Sequence, residues 1–217
     1  MVNRLSSEAK CTATPMTSAL RPKRPSAVRA RIACAAGESS VGAPLPPGWH
    51  WIFFNRFVPR EGLGMDGHPK RGGFLPPVPL PRRMWAGGRI EFAGRIRVGD
   101  WVRRRSSLRD VVLKSGRSGP LCFVTVDHEF TAPQGLVLRE RHDIVYREAR
   151  QPGSPQPPTP RAPVAQWSRT VQADPVLLFR YSAITFNGHH IHYDRRHAIE
   201  TEGYDGLVVH GPLQATL

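Results

Sequence analysis

Apolar and charged residues alternate along the chain between residues 88 and 149, and this alternation predicts β-strands. Three alternating stretches cover residues 88–116, 119–130 and 135–149. Turn-forming residues separate them, at Lys114-Ser115-Gly116, Arg117-Ser118-Gly119 and Pro133-Gln134-Gly135. The predicted core positions are Ile90, Phe92, Ile96, Val98, Trp101, Leu121, Phe123, Val124, Val126, Val137, Ile144 and Tyr146. The pattern predicts an antiparallel meander of long strands.

The last fifty residues give a more mixed pattern. A second β segment is predicted to begin at Trp167 and to include the apolar run "VLLFRYSAITF" at 176–186. Asn187-Gly188 then predicts a turn, and Asp194 is a plausible N-cap for a short helix. The stretch "GLVVHGPLQATL" predicts a short strand, a glycine turn and a helix that begins at Pro212.

Prolines and composition divide the chain into segments. Residues 1–43 lack a strand or helix period and are basic, so we expect a disordered or misannotated segment, with an organellar transit peptide as the alternative. We expect a first unit at 44–150, a linker with six prolines at 151–163, and a second unit at 164–217. In the first unit, "GWHWIFFNRF" is predicted to anchor the core, and "DGHPKRGGFLPPVPLPRRMWAGG" to form an ordered loop.

Charge and cysteine content limit the classes of function. Thirty-one basic residues against 17 acidic ones give a net charge of +14, which suggests an anionic partner or a basic surface. No zinc-finger, RNP or helix-turn-helix pattern is present, so nucleic-acid binding is a disfavoured alternative. No apolar run of about 18 residues is present, so no membrane span is expected. Cys11, Cys34 and Cys122 suggest no disulfide framework, and we expect a cytoplasmic protein, with mitochondria as the alternative.

A cluster of histidines in "FNGHHIHYD" raises the question of a metal or catalytic site. In an extended chain His190 and His192 share a face while His189 points away, and the chain lacks an HExxH pattern. We therefore expect no metal. Asn187 and His192, five residues apart, have a spacing that suits holding one water molecule between them. That spacing alone does not distinguish a site from a polar turn with surface histidines.

Several motifs in the same order resemble those of the MaoC-like enoyl-thioester hydratases, closest to the hydroxyacyl-thioester dehydratase type 2 and mesaconyl-CoA hydratase branch. The motifs include "PLPPGWHWIFF", "GRSGPLCFVTVDHEF", "YSAITFNGHHIHYD" and "GLVVHGPLQATL". The resemblance runs from about residue 44 to the end, apart from the proline-rich linker. It implies an α+β double hot-dog fold, in which an antiparallel sheet curls around a central helix. It also implies a hydro-lyase that reversibly hydrates a trans-2-enoyl-CoA to a 3-hydroxyacyl thioester without a cofactor.

The resemblance also implies roles for single residues. His192 falls on the family's histidine and Asn187 on its aspartate; because an amide cannot take a proton, Asn187 should orient the water while His192 acts as acid and base. Gly211 falls in the oxyanion hole, and His210 is expected to bond the turn backbone. The candidate partners for the phosphates of coenzyme A are Arg82, Arg83, Arg180, Arg195 and Arg196. A homodimer is a further expectation.

The end of the chain bears on this interpretation. In the family, further strands follow the helix that begins at Gly211, so we expect an incomplete second unit and a truncated member. The alternatives to an active enzyme are a non-catalytic remnant, a subunit that depends on a partner, and a basic nucleic-acid-binding protein.

Overall fold

The computed structural model of the protein describes residues 26–31, 40–116, 119–149 and 164–217. One five-stranded antiparallel sheet with the order β1-β3-β4-β5-β2 dominates it. The strands are β1 (Ser26–Arg31), β2 (Arg82–Phe92), β3 (Trp101–Gly116), β4 (Gly119–Ala132) and β5 (Gly135–Arg147). The predicted meander is confirmed for β3, β4 and β5, and Pro133-Gln134 form the turn between β4 and β5. Strand β2, which precedes β3 in the chain, pairs with β5 and not with β3.

Strand alternation determines which side chains reach the core. On β4 the buried residues are Cys122, Val124, Val126, Phe130 and Ala132, whereas the predicted core positions Leu121 and Phe123 are only partly buried. Side chains of a strand alternate between its two faces. Leu121 and Phe123 therefore lie on the face opposite to Cys122, Val124 and Val126, and their prediction as core residues is wrong. Phe92 and Trp101, also predicted as core, are about half exposed (55% and 49%).

Loops, and not a long helix, cover the buried face of the sheet. Two apolar clusters lie there. One includes Val78 and Leu80 of the ordered loop at 66–81, called the proline-rich loop below, and the other includes Phe54. Within residues 40–116 and 119–149 the helical segments are the short turns Trp49–Ile52 and Arg60–Gly62. The expectation of a central helix is therefore not met in this part of the chain, while the expected ordered loop is confirmed. The expected core anchor is confirmed only for Phe54, because Trp49 and Phe57 are exposed.

The run at 176–186 is a helix, so the predicted second β segment is wrong. Helix α1 (Pro175–Ile184) begins after Asp174, whose carboxylate accepts the backbone N–H of Leu177 (2.8 Å). Pro175 occupies the first turn, where a missing N–H has no cost. Its own apolar side chains lie on most faces of the helix, so the sequence lacks the 3.6-residue period that distinguishes a helix from a buried strand.

The C-terminal segment forms short turns and a second helix. Asp194 caps the predicted helical stretch, accepting the N–H of His197 (2.9 Å), and a π-helical turn follows at His197–Thr201. Helix α2 (Gly211–Thr216) begins one residue before the predicted position and packs on α1. Residues 206–210 form no strand, so the predicted short strand is wrong, although Val208 N–H donates to the Ile191 carbonyl (2.9 Å).

The predicted segment boundaries meet the structure only in part. Residues 26–31, inside the segment expected to be disordered, form strand β1 and pair with β3. Residues 1–25 and 32–39, the linker at 151–163, the turn residues 117 and 118, and two of the three cysteines lie outside the described residues. None of the helices described is long and apolar enough to span a membrane.

Candidate active site

A cavity of about 490 Å³ separates the sheet from the C-terminal segment. Strand β2 contributes Arg83 and Trp85 to its lining, β5 contributes His142, and the proline-rich loop contributes His68. The C-terminal segment provides the remaining polar groups, which are Asn187, His189, His192, Tyr204, His210, Gly211 and Gln214. The three predicted catalytic residues, Asn187, His192 and Gly211, thus surround one cavity.

His192 is buried and has a defined tautomer. Its Nδ1–H donates to the carbonyl oxygen of Val208 (2.6 Å), because a carbonyl can only accept. Nε2 is then the ring nitrogen that carries the lone pair. Burial lowers the pKa of His192, and the hydrogen bond to Val208 opposes this shift only partly. The side chain is therefore a neutral base at pH 7.

His210 supports His192 from one side. The two rings stack with centroids 3.7 Å apart and an interplanar angle of 19°. His210 Nε2 is hydrogen-bonded to Ser182 Oγ on helix α1 (2.8 Å), so its structural partner is a side chain and not the turn backbone. Burial, with a smaller contribution from His192, lowers the pKa of His210 to about 3. Two neutral rings can stack closely without charge repulsion.

Asn187 forms a local turn with its own side chain. Its Oδ1 accepts the backbone N–H of His189 (3.0 Å), which is an Asx-type turn and fixes which end of the amide is oxygen. The Nδ2 group is then the donor end of the side chain. The predicted turn at Asn187-Gly188 is confirmed, and the amide oxygen already has one partner, the N–H of His189.

Two functional candidates that the sequence analysis missed come from the proline-rich loop. His68 lies beside His189, with ring centroids 4.1 Å apart, and His189 lies 5.4 Å from the ring of His192. Asp66 accepts both the backbone N–H (3.0 Å) and the Nδ1–H (3.1 Å) of His68. The signal in the sequence is the Asp-Gly-His spacing, but nothing local indicates that this loop reaches residue 187.

A close backbone contact connects the loop to the histidine segment. Gly67, at φ +84°, lies so near Gly188 that an added Cβ would overlap the Gly188 carbonyl oxygen. The N–H of His190 donates to the Asp66 carbonyl (3.0 Å). Further along, the Arg71 guanidinium donates to the carbonyls of Val78, Leu80 and Pro81. The loop is therefore fixed at both ends.

Gly211 also occupies a position that only glycine fits. A Cβ at this residue would overlap the indole ring of Trp85, which forms the opposite wall of the cavity. Gly211 begins helix α2, and the first N–H groups of a helix have no acceptor within it.

Only one of the five candidate arginines lines the cavity. Arg83 is partly buried there, and its charge acts on Asp66, His68 and His189. Arg82 instead pairs with Glu202 and donates to the Thr201 carbonyl (2.8 Å) outside the cavity. The remaining three, which are Arg180, Arg195 and Arg196, are exposed and do not contribute to its lining.

The described residues include one group that could hold a metal ion. Ligand atoms of Asp66, His68 and His189 lie within 4.8 Å of one another. His190 and His192, the histidine pair that would share a face in an extended chain, do not belong to this group. Because Asp66 already binds His68 Nδ1–H, a metal would have to displace that hydrogen bond.

A second, more apolar cavity of about 480 Å³ adjoins the first. His68 and Asn187 line both cavities. Its remaining lining is largely apolar and includes Val58, Leu63, Phe179 and Phe186. The polar cavity thus opens toward space that suits an aliphatic chain.

Comparison with solved structures defines the class of fold. HtdX from Mycobacterium tuberculosis superposes with a TM-score of 0.55 at 16% sequence identity, covering 88% of this chain and 74% of that chain. A second HtdX structure gives a TM-score of 0.53 at 14% identity, covering 89% of this chain and 73% of that chain. The chain has the hot-dog fold of the α+β class, as predicted.

Sequence comparisons define the family. The profile of the hydroxyacyl-thioester dehydratase type 2 family matches residues 48–217. Mesaconyl-C(4)-CoA hydratase from Chloroflexus aurantiacus is 52% identical over 195 residues, covering 88% of this chain and 69% of the relative. The mitochondrial hydroxyacyl-thioester dehydratase type 2 of Schizosaccharomyces pombe is 24% identical over 208 residues, covering 85% and 69%. The chain belongs to the hydroxyacyl-thioester dehydratase type 2 family.

Proposed function

We propose that this protein catalyses the reversible addition of water to a trans-2-enoyl-CoA, giving a 3-hydroxyacyl-CoA. The observation that supports it most strongly is the single cavity that brings together Asn187, Gly211 and the lone pair of His192 Nε2. Family membership supports the same reaction.

The reaction follows from the chemistry of these groups. His192 Nε2 removes a proton from water while the water oxygen forms a bond to C3 of the enoyl group. The π electrons of the C2–C3 double bond move toward the thioester, whose oxygen becomes an enolate. The backbone N–H of Gly211 is assigned to stabilise that oxygen. His192 then returns its proton to C2, so one imidazole completes the addition.

Asn187 orients the water without exchanging a proton with it. Its amide end can donate to the water oxygen, since Oδ1 already accepts the N–H of His189. Aligning an oxygen lone pair with C3 lowers the barrier mainly by positioning. Asn187→Ala should therefore leave more turnover than the loss of His192.

The substrate we propose is a short, branched enoyl-CoA with a second carboxylate, of the mesaconyl-C4-CoA type. The 52% identity to a protein named for that substrate supports this choice. Arg83 provides a cation in the cavity lining, and a guanidinium binds a carboxylate in a bidentate geometry.

We also propose that the protein associates as a homodimer and functions in the cytoplasm. Helix α1 has exposed apolar side chains at Val176, Phe179 and Ile184, which a second copy would shield from water. Light scattering at several concentrations tests the dimer, and fractionation of source cells tests the compartment.

The experiment that tests the activity measures hydration of mesaconyl-C4-CoA and crotonyl-CoA by the purified protein. We expect turnover of both, with the higher kcat/KM for the dicarboxylic substrate. His190→Ala serves as the matched control, because His190 lies two residues from His192 and outside the cavity lining. Absence of turnover with both substrates by a folded protein would contradict the proposal.

A further inference from the structure

The proposed reaction leaves one hydrogen of the nucleophilic water without an assigned partner. Water donates two hydrogen bonds, and His192 Nε2 receives only one of them. Asn187 presents its donor end, because its oxygen accepts the N–H of His189. A second neutral acceptor beside Asn187 would hold the water in a single orientation.

His68 has the chemistry for that task. Its Nδ1–H is bound by the Asp66 carboxylate, so Nε2 carries the lone pair. Burial lowers the pKa of His68, and the hydrogen bond that His68 donates to Asp66 raises it by less, so the ring is neutral at pH 7. His68 also lines both cavities together with Asn187.

Asp66 is a charged carboxylate in this arrangement. Burial opposes its ionisation, but the hydrogen bonds that it accepts from His68, together with the charge of Arg83, outweigh burial and hold the pKa of Asp66 well below its usual range. A charged carboxylate can only accept, so it keeps the proton of His68 on Nδ1.

His210 is less suited to hold this water. It stacks nearly parallel on His192, so its ring nitrogens lie in a different plane from the lone pair of His192 Nε2. His68, in contrast, approaches from the loop that is fixed to Gly188 through Gly67. The loop contact places His68 beside Asn187 independently of the substrate.

We propose that His68 is a further catalytic residue that accepts the second hydrogen of the nucleophilic water, and that Asp66 is a positioning residue that fixes its tautomer. The inference rests on the proposed hydration activity. No bond to His68 forms or breaks: the transferred proton passes from water to His192 and then to C2. Asp66 and His68 thereby provide the acceptor that an amide at position 187 does not.

The test measures kcat, KM and pH profiles of enoyl-CoA hydration for five variants and the wild type. His68→Ala should lower kcat about 10- to 100-fold with KM nearly unchanged. This factor corresponds to the loss of one hydrogen bond to the water, which gains negative charge as His192 removes its proton. Asp66→Asn should lower kcat less and move the acid limb to lower pH, because the carboxylate raises the pKa of His68.

The decisive variant restores a carboxylate inside the cavity. Asn187→Asp in the His68→Ala background should recover at least about tenfold in kcat, since an aspartate can accept the hydrogen that His68 no longer binds. His68→Gln, which keeps an acceptor, should retain more activity than His68→Leu of similar size, and this pair substitutes if His68→Ala does not fold.

The outcomes distinguish this inference from the proposed function. An inactive wild type would overturn both. An active wild type whose kcat is unchanged in His68→Ala, or whose double variant is no faster than folded His68→Ala, would overturn the inference alone.

Discussion

Two clusters of buried and half-buried histidines lie in this molecule, and they differ in what their ring nitrogens bind. The sheet cluster surrounds Glu140 and consists of His50, His128 and His142, of which His142 also lines the cavity. The cavity cluster consists of His68, His189, His192 and His210. Both have rings in contact and both exclude water from most of their surface.

The sheet cluster is organised around a central carboxylate. Glu140 accepts hydrogen bonds from His50 (3.2 Å), from the Trp51 indole (2.6 Å) and from His142. Burial opposes its ionisation, but these hydrogen bonds outweigh burial and hold the pKa of Glu140 well below its usual range. His128 is hydrogen-bonded to Ser106 (2.7 Å). This network connects the segment at 49–54 to strand β5.

The cavity cluster has its carboxylate at the edge. Asp66 binds His68 alone, and the nearest partner of His192 is a backbone carbonyl. A lone pair of His192 is therefore left for a ligand. The comparison shows that burial of a histidine says little about function, whereas an uncommitted nitrogen facing a cavity is informative.

The largest expected effect is on catalysis in the cavity cluster. His192→Ala should lower kcat about 10²- to 10⁴-fold, the usual contribution of a general acid–base group. The free energy of unfolding should change much less than for a variant of the sheet cluster. Enoyl-CoA turnover and urea denaturation on the same samples check both parts; equal turnover in His192→Ala and the wild type would remove the assignment.

A change in the sheet cluster should act on stability instead. Glu140→Ala leaves several buried donors without an acceptor, and we expect a loss of about 3–5 kcal/mol in the free energy of unfolding. Urea denaturation measures it, with the exposed Glu91→Ala as the matched strand control. A loss below about 1 kcal/mol would mean that Glu140 does not hold the network together.

Acidification should destabilise the protein through both clusters. Burial lowers the pKa of five histidines of the two clusters in the folded state, to about 3 for His128 and His210 and to about 2 for His189, with His68 and His192 also lowered. Burial also lowers the pKa of His197, which lies outside both clusters. Below about pH 6.5 the unfolded chain therefore binds protons that the folded chain does not, and stability falls as pH falls.

The slope measures how many histidines stay neutral. Each contributes about 1.4 kcal/mol per pH unit between its unfolded and folded pKa. Urea denaturation at several pH values between 7 and 5 checks this. His128→Gln should reduce the dependence of the unfolding free energy on pH by the contribution of one histidine, about 1.4 kcal/mol per pH unit. Stability that does not change over this range would contradict neutral buried histidines.

The smallest expected effect concerns Arg83. Arg83→Gln should raise KM for a dicarboxylic enoyl-CoA about tenfold with little change in kcat, since it removes a bidentate partner from the bound substrate. Arg180→Gln, an exposed arginine on helix α1, is the matched control and should keep the wild-type KM. Equal KM values for the two variants would place the substrate carboxylate elsewhere.

The strands of the sheet were predictable because alternation is a local signal. Residues 101–116 and 135–147 alternate strongly, and the structure has long strands there. Helix α1 was missed because its apolar run has no period, although Asp174-Pro175 is a helix start signal. Here the capping residues were more informative than hydrophobicity.

Part of the site was also predictable, because two of its residues lie close together in the sequence. Asn187 and His192 lie five residues apart and reach one cavity through a single turn. Asp66 and His68 are more than a hundred residues away in sequence, and only the contact of Gly67 with Gly188 brings them there. Among five arginines, tertiary structure alone selects Arg83.

The measurement that tests the central claim most directly follows isotopes from solvent into product. The wild type and His192→Ala are incubated with mesaconyl-C4-CoA in water labelled with oxygen-18 and deuterium. We predict that the wild type places oxygen-18 on one carbon of the double bond and deuterium on the other, and that His192→Ala incorporates both labels at least about 100-fold more slowly. Unlabelled product from the wild type, or equal labelling by both proteins, would contradict hydration at this cavity.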